Sequence, residues 1–346
     1  MKLIATILTV GAIFSIIYLL QLSTFQMGTR HYLPDPTIST RYQLAESPVF
    51  TIDNRNESTP TSDQCLPRNN LTDEAAGAKL LEKRLPECLI IGFAKCGTYA
   101  LKSFLTLHPD IVGPNQEVAF FTGYYHRGYD WYRSQMPLSL ESQITIEKTP
   151  SYILSLQALW RIRKFNASIK LIVSVRDPLI RLQSSYAHAQ AAHEAFNETF
   201  ESWLLNEDNI IRAADYATHI KNVFRLFQSS QVLIVQEEEL EKTPLAVLRK
   251  VETFLGLCHA FENDLLVFNS EKGFFCFNQT SRRYQELEHT LTLNHKTGCF
   301  TRSKGRTHPQ IDRLTMKRIV LKMSSYNEQL FALTGIRFNW THPGSF

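Results

Sequence analysis

Residues 88 to 99 read Cys88-Leu89-Ile90-Ile91-Gly92-Phe93-Ala94-Lys95-Cys96-Gly97-Thr98-Tyr99. An unbroken apolar run closed by a glycine is the pattern of a strand buried on both faces. The turn that follows opens into a helical pattern, Tyr99 to Leu107. A strand that passes through such a turn into a helix presents successive backbone N–H groups, and the helix N-terminus, to an anion such as a phosphate. The turn is not a Walker A loop. There Gly-x4-Gly is followed by Lys and Ser/Thr, whereas here Gly97 is followed at once by Thr98, and Lys95 stands two residues earlier. A tight strand-to-helix turn with incidental glycines is the plainer alternative.

The strand pattern recurs at Gln143-Ile144-Thr145-Ile146, at Lys170 to Val175 and at Val232 to Val235. Helical patterns fall between and after them at Leu179 to Ala192, Thr218 to Gln228 and Pro244 to Leu255. This alternation predicts a three-layer α/β domain with a mainly parallel central sheet and right-handed crossovers. Ligands of such sheets bind at the carboxyl ends of the strands. A second polar constellation stands at one of those ends: Ser174-Val175-Arg176-Asp177-Pro178, then Arg181, Ser184, Ser185 and Tyr186. Arg176 is placed for a bidentate phosphate contact, and Ser184, two turns into the helix, for a hydroxyl donor. The plainer reading of Asp177 and Arg181 is an ion pair at the start of a helix.

With 346 residues, 44% hydrophobic and 20% charged, the chain buries a real core and falls outside the disordered and collagenous classes. A net charge of +4 is too weak a bias for a nucleic-acid binder, and no nucleic-acid partner is expected. The cysteines form no CxxC pair and have no histidine at zinc-ligand spacing, so no metal site is expected.

The first residues speak to compartment. Leu3 to Leu22 carries no charge, and at ~1.5 Å per residue it spans the ~30 Å hydrocarbon core of a bilayer. The run is longer than the apolar region of a cleaved signal and lacks a clear small-x-small site, which favours an uncleaved signal anchor. The flanking charges, Lys2 before the span and Arg30 after it, orient it only weakly. Asn-x-Ser/Thr sequons at Asn56, Asn70, Asn166, Asn197, Asn278 and Asn339 all follow the span and suit a luminal body. The expected organisation is a cytoplasmic tail (1–2), a transmembrane anchor (3–22), a Ser/Thr/Pro-rich luminal stem (23–85) and a catalytic domain (86–346), in type II topology.

Several blocks now carry a family resemblance. Ile91-Gly92-x-x-Lys95-x-Gly97-Thr98, Val175-Arg176-Asp177-Pro178 with Ser184, and Lys304-Gly305-Arg306-Thr307-His308-Pro309 resemble the PAPS-dependent sulfotransferases of the Golgi. Gly128-x-x-Trp131-Tyr132, Glu147-Lys148-Thr149-Pro150-Ser151-Tyr152 and Lys272-Gly273-Phe274 narrow the resemblance to the heparan sulfate glucosamine 3-O-sulfotransferases. It runs from about Glu87 to Trp340 and implies a P-loop-like sulfotransferase domain on a Golgi membrane anchor.

The resemblance also implies roles. Lys95, Cys96, Gly97, Thr98 and Tyr99 would wrap the 5′-phosphosulfate of PAPS, with Lys95 polarising the sulfuryl group. Arg176 and Ser184 would hold the 3′-phosphate. Lys304, Gly305, Arg306, Thr307 and His308 would close over the nucleotide, with Phe275 near it. Glu117 would take the proton from the glucosamine 3-hydroxyl. Lys148 would bridge acceptor and donor, with Thr149, Pro150 and Ser151 on the acceptor side. The implied disulfide is Cys276 with Cys299, while Cys96 and Cys258 read as buried or free thiols. Sulfuryl transfer needs an in-line nucleophile, cations or N–H groups around the departing oxygens, and a base, but no metal. From Phe261 on, twelve Lys/Arg face seven Asp/Glu, a bias that attracts a polyanion such as heparan sulfate. Lys317, Arg318 and Lys322 also read simply as the solvated face of a helix.

The chain departs from the family pattern where Ala119 and Thr122 replace a His and an Asp near the base, and where Tyr99 replaces an Arg. Two related alternatives follow: a heparan-sulfate-binding pseudoenzyme, or a sulfotransferase acting at another glycan position. A P-loop kinase or NTPase with Gln236-Glu237 as its acidic partner is the third class, and the missing Gly-Lys-Ser/Thr argues against it.

Overall fold

The computed structural model describes residues 80–192, 196–291, 293–301 and 308–345. The predicted tail, the span 3–22, nearly all of the stem, Asn56, Asn70, and Lys304 to Thr307 lie outside the described residues. Among the described residues no helix is long and apolar enough to cross a membrane.

The central sheet has five strands: β1 (Cys88–Gly92), β2 (Ile111–Val112), β3 (Ile144–Lys148), β4 (Lys170–Val175) and β5 (Val232–Gln236), in the order β2-β3-β1-β4-β5. Every neighbouring pair is parallel. β1 is central and wholly buried, which is why its sequence runs apolar without alternation. Leu89 and Ile91 point into one core with Phe120, Tyr132, Leu171 and Ile220. Cys88 and Ile90 point to the opposite core, with Leu101, Ile146, Ile172 and Val247. That two-residue alternation between cores makes the domain three layers thick. Of the expected strands all four are present; β2, only two residues long, was beyond reach of any periodicity.

The principal helices are α1 (Thr98–Leu105), α2 (Gly128–Ser134), α3 (Leu156–Phe165), α4 (Pro178–Ala192), α5 (Tyr216–Leu226), α6 (Glu237–Lys242), α7 (Pro244–Leu255) and α8 (Arg313–Thr334). α3 is an addition to the expected set, started by the Ser155 hydroxyl, which accepts a hydrogen bond from the Ala158 N–H. α8 buries Ile319, Val320 and Met323 against Leu179 and Leu182 of α4, and leaves Lys317, Arg318 and Lys322 exposed. Beyond the sheet, β6 (Leu266–Asn269) and β7 (Phe274–Phe277) form an antiparallel ribbon. Cys276 of β7 is bonded to Cys299. Cys96 and Cys88 are buried free thiols, but Cys258 is disulfide-bonded, which corrects the free-thiol expectation for it.

Candidate active site

The carboxyl end of β1 runs into the loop Phe93–Gly97 and then into α1. A glycine is required at both ends of this passage. A Cβ on Gly92 would lie 2.3 Å from Ile153 Cγ2, and Gly97 has φ +69° with room for a Cβ only 2.6 Å from Glu237 Cγ. The loop is pinned from below. The Phe93 N–H donates to the Ser174 carbonyl (2.8 Å), and the Ser174 hydroxyl donates to the Cys96 carbonyl. Arg181 Nε donates to Ala94 O (3.1 Å) and its Nη1 to Ala213 O (3.0 Å), with the guanidinium over the rings of Phe93 and Tyr216. The expected Asp177–Arg181 pair is therefore not formed. Asp177 instead accepts from the Leu179 N–H and from the N–H and hydroxyl of Thr341, because a buried arginine beneath the loop leaves it to cap α4 and hold the C-terminal segment. Cys96 turns its thiol inward to the Tyr216 hydroxyl (3.5 Å), and burial pushes that thiol up to about 11.

Arg176, at the end of β4, reaches across the mouth of the loop. Its Nη1 lies 3.5 Å from Lys95 O, and its Nε lies 2.9 Å from Glu237 Oε2 at the start of α6. His308 comes to the same place: partial burial, with Arg176 and Lys95 nearby, holds its imidazole below the usual range. The fold thus gathers Lys95, Arg176 and His308 about one strand-to-helix turn. Ser184 is half-buried on the second turn of α4. Phe275 is on β7, its ring 5.4 Å from that of Phe268.

A second group of residues forms at the end of β3. Lys148 Nζ donates to Glu117 Oε1 at 2.5 Å and lies 5.6 Å from the centre of the Tyr99 ring. Tyr99 packs edge-on against Phe300, next to Cys299. The neighbouring Glu147 is completely buried and organises the backbone beneath Glu117. It accepts from the Val118 N–H (3.2 Å), the Tyr132 hydroxyl (3.2 Å) and the Thr149 hydroxyl (2.5 Å). Thr149 Oγ1 in turn accepts from the Ala119 N–H (3.1 Å). Burial raises the Glu147 carboxyl above its usual range, against the pull of these donors. Ala119 sits at φ +52°, and a single wide turn, Phe120–Tyr124, begins there. The Thr122 hydroxyl bends back to the Ala119 carbonyl. Thr149 and Pro150 are buried, so their side chains serve the turn, whereas Ser151 is exposed.

Comparison with known proteins fits this arrangement. A family model described as "Sulfotransferase domain" matches residues 85–335. Heparan sulfate glucosamine 3-O-sulfotransferase 5 of Mus musculus is 33% identical over 286 residues, covering 79% of each chain. This chain belongs to the heparan sulfate glucosamine 3-O-sulfotransferase family. The human member 6 is 34% identical, covering 75% of this chain and 74% of its own. The human member 3B1 is 35% identical, and there the chain spans 65% of the relative's length. Among solved structures, a sulfotransferase from Alicyclobacillus acidocaldarius shares the fold, with a TM-score of 0.53 at 19% identity over 74% of this chain and 98% of its own.

Family membership sets aside the kinase or NTPase expectation, and Glu237, its intended acidic partner, faces Arg176 instead. Three polar residues stood in the sequence without their structural places: Glu147 inside a family-like block, Arg181 as a partner for Asp177, and Glu237 as the acidic partner of the kinase alternative. The burial of Glu147 and Arg181 carries no local signal. Of the described sequons, Asn197 and Asn339 are exposed, while Asn166 and Asn278 are half-buried with their amide groups hydrogen-bonded.

Proposed function

We propose that this protein transfers a sulfuryl group from PAPS to the 3-hydroxyl of a glucosamine in heparan sulfate. The observation that carries this reading is the 2.5 Å contact of Glu117 with Lys148 beside the phosphate-type loop. Glu117 is half exposed whereas Lys148 is almost wholly buried, so the carboxylate faces solvent while the cation holds it from beneath. PAPS, the substrate donor, supplies the sulfuryl group and a diphosphorylated nucleotide as leaving group.

The chain's own residues suit that donor. Gly97 supplies the left-handed backbone that turns the loop into the N-terminus of α1, and Lys95, Arg176 and His308 bring cationic or N–H groups to that turn. Ser184, Phe275 and the segment Lys304 to Thr307 complete the proposed donor set. On the acceptor side Glu117 takes the proton from the attacking hydroxyl, which raises the oxygen's nucleophilicity as the S–O bond forms. Lys148 aims Glu117 through their contact, and is held within reach of charge developing between donor and acceptor. The exposed Lys317 and Arg318 belong to the basic C-terminal part that would attract the polyanion. The apolar run Leu3 to Leu22 and the sequons beyond it support a type II anchor in the Golgi membrane with this domain in the lumen.

One observation favours a second reading. Ala119 offers only a methyl and no polar group to support Glu117, and the Thr122 hydroxyl is turned to the backbone, so a heparan-sulfate-binding protein without turnover is the alternative. Incubating the full chain with labelled PAPS and heparan sulfate, then mapping the label, separates the two. Label at the glucosamine 3-hydroxyl supports the enzyme; binding of polysaccharide and of the desulfated donor product without transfer supports the alternative.

A further inference from the structure

Arg176 is a cation at the mouth of the loop, and in the free protein it is already engaged by an anion of the chain itself. Glu237 Oε2 lies 2.9 Å from Arg176 Nε, with both side chains largely shielded from solvent, at 14% and 16% exposure. The two atoms are too poorly aligned for a hydrogen bond and have no other hydrogen-bond partner among the described residues, so charge holds them together. The side chain lies over the loop: a Cβ on Gly97 would come within 2.6 Å of Glu237 Cγ and 3.5 Å of its Oε1. A carboxylate therefore stands beside the helix N-terminus and the arginine that an incoming phosphate would use.

We infer that Glu237 is an affinity-setting residue of the donor site, a built-in anion that competes with the donor's phosphate for Arg176 and must be neutralised or displaced for the donor to bind. This rests on the proposal that PAPS is the donor. Among the described residues, the groups facing Glu237 are Arg176 from the end of β4, the Cys96 thiol from the loop, and Glu238 and Glu241 from its own helix. Lys95 and His308 face Arg176 from the loop and from the C-terminal segment. Glu238 is tied down by the Asp177 N–H at 2.6 Å, so Glu237 is the acid left to answer a change at the mouth. Burial and the two acidic neighbours push the Glu237 carboxyl up to about 7, against the pull of Arg176. A phosphate arriving beside it drives it further toward the neutral form, so binding takes up a proton and weakens as pH rises.

The test is calorimetric titration of the full chain with adenosine 3′,5′-bisphosphate at pH 6 and pH 8, in buffers of differing ionisation enthalpy, beside Glu237→Gln. The nucleotide's own phosphates titrate equally with both proteins. The expected result is that Glu237→Gln binds about tenfold more tightly than wild type at pH 8 and within about threefold at pH 6. The wild type should also take up more protons at pH 8 than the variant. Should the variant fail to fold, proton uptake by the wild type beyond that of the nucleotide alone keeps the inference testable. Equal affinities at both pH values, or weaker binding by the variant, overturn the role of Glu237 alone. Absence of binding by both proteins overturns the donor reading and this inference with it.

Discussion

Lys148 Nζ stands 2.5 Å from Glu117 Oε1 and 5.6 Å from the centre of the Tyr99 ring, so one ammonium joins β3, the segment before α2, and the first turn of α1. The proposed base and the donor loop thus share a cation. Glu117→Gln keeps the shape and removes the basicity. Sulfate transfer is expected to fall at least about a hundredfold, with nucleotide affinity unchanged within about twofold. Transfer at the wild-type rate would remove Glu117 from the proton step.

Glu147 holds up the same segment from inside. Truncation leaves the Tyr132 and Thr149 hydroxyls and the Val118 N–H buried without their acceptor. Glu147→Ala is expected to cost about 3 kcal/mol in urea unfolding, and Tyr132→Phe about 1 kcal/mol. A loss below 1 kcal/mol for Glu147→Ala would show that the network is not a support.

Glu237 makes stability depend on pH in a defined direction. Its folded carboxyl is raised to about 7 from an ordinary 4.5, so the neutral form is the one that favours folding. That contribution is complete below about 4.5 and is lost as pH rises through 7. Between pH 5 and pH 8 the unfolding free energy of wild type should therefore fall relative to Glu237→Gln by on the order of 3 kcal/mol. Parallel pH profiles for the two proteins would contradict this.

Gly97 combines a left-handed backbone with a wall on its Cβ side. Gly97→Ala is expected to destabilise the domain by about 1 to 2 kcal/mol and to weaken nucleotide binding more than tenfold, since the loop must shift toward the space a phosphate would take. Thermal melts with and without nucleotide measure both effects. A nucleotide-induced shift equal to that of wild type would show that the loop tolerates the methyl.

The Cys276–Cys299 bond closes a segment with a sequence separation of 23 residues, and both cysteines are buried. On chain-entropy grounds its loss costs about 3 kcal/mol. Replacing both cysteines by serine should lower the urea midpoint accordingly, and a midpoint equal to that of wild type would show that this bond does not hold the domain. Phe300, which follows Cys299, packs on Tyr99, so nucleotide affinity should weaken with it.

Much of this protein was written locally. The apolar run Cys88 to Ile91 and its three counterparts determined the parallel sheet, because strands buried on both faces need uninterrupted apolar side chains. The spacing of Gly92, Lys95, Gly97 and Thr98 marked the loop, because backbone conformation and close approach are local demands. Tertiary structure decided the rest. That Arg181 lies beneath the loop and not beside Asp177, that Glu147 is a buried hub, and that Glu237 meets Arg176 all depend on which strands become neighbours. β4 and β5 are adjacent in the sheet, so the residues following them, more than fifty positions apart in sequence, arrive at one mouth. Charge pairing between distant segments has no period and no motif. It appears only when the sheet order brings the strand ends together.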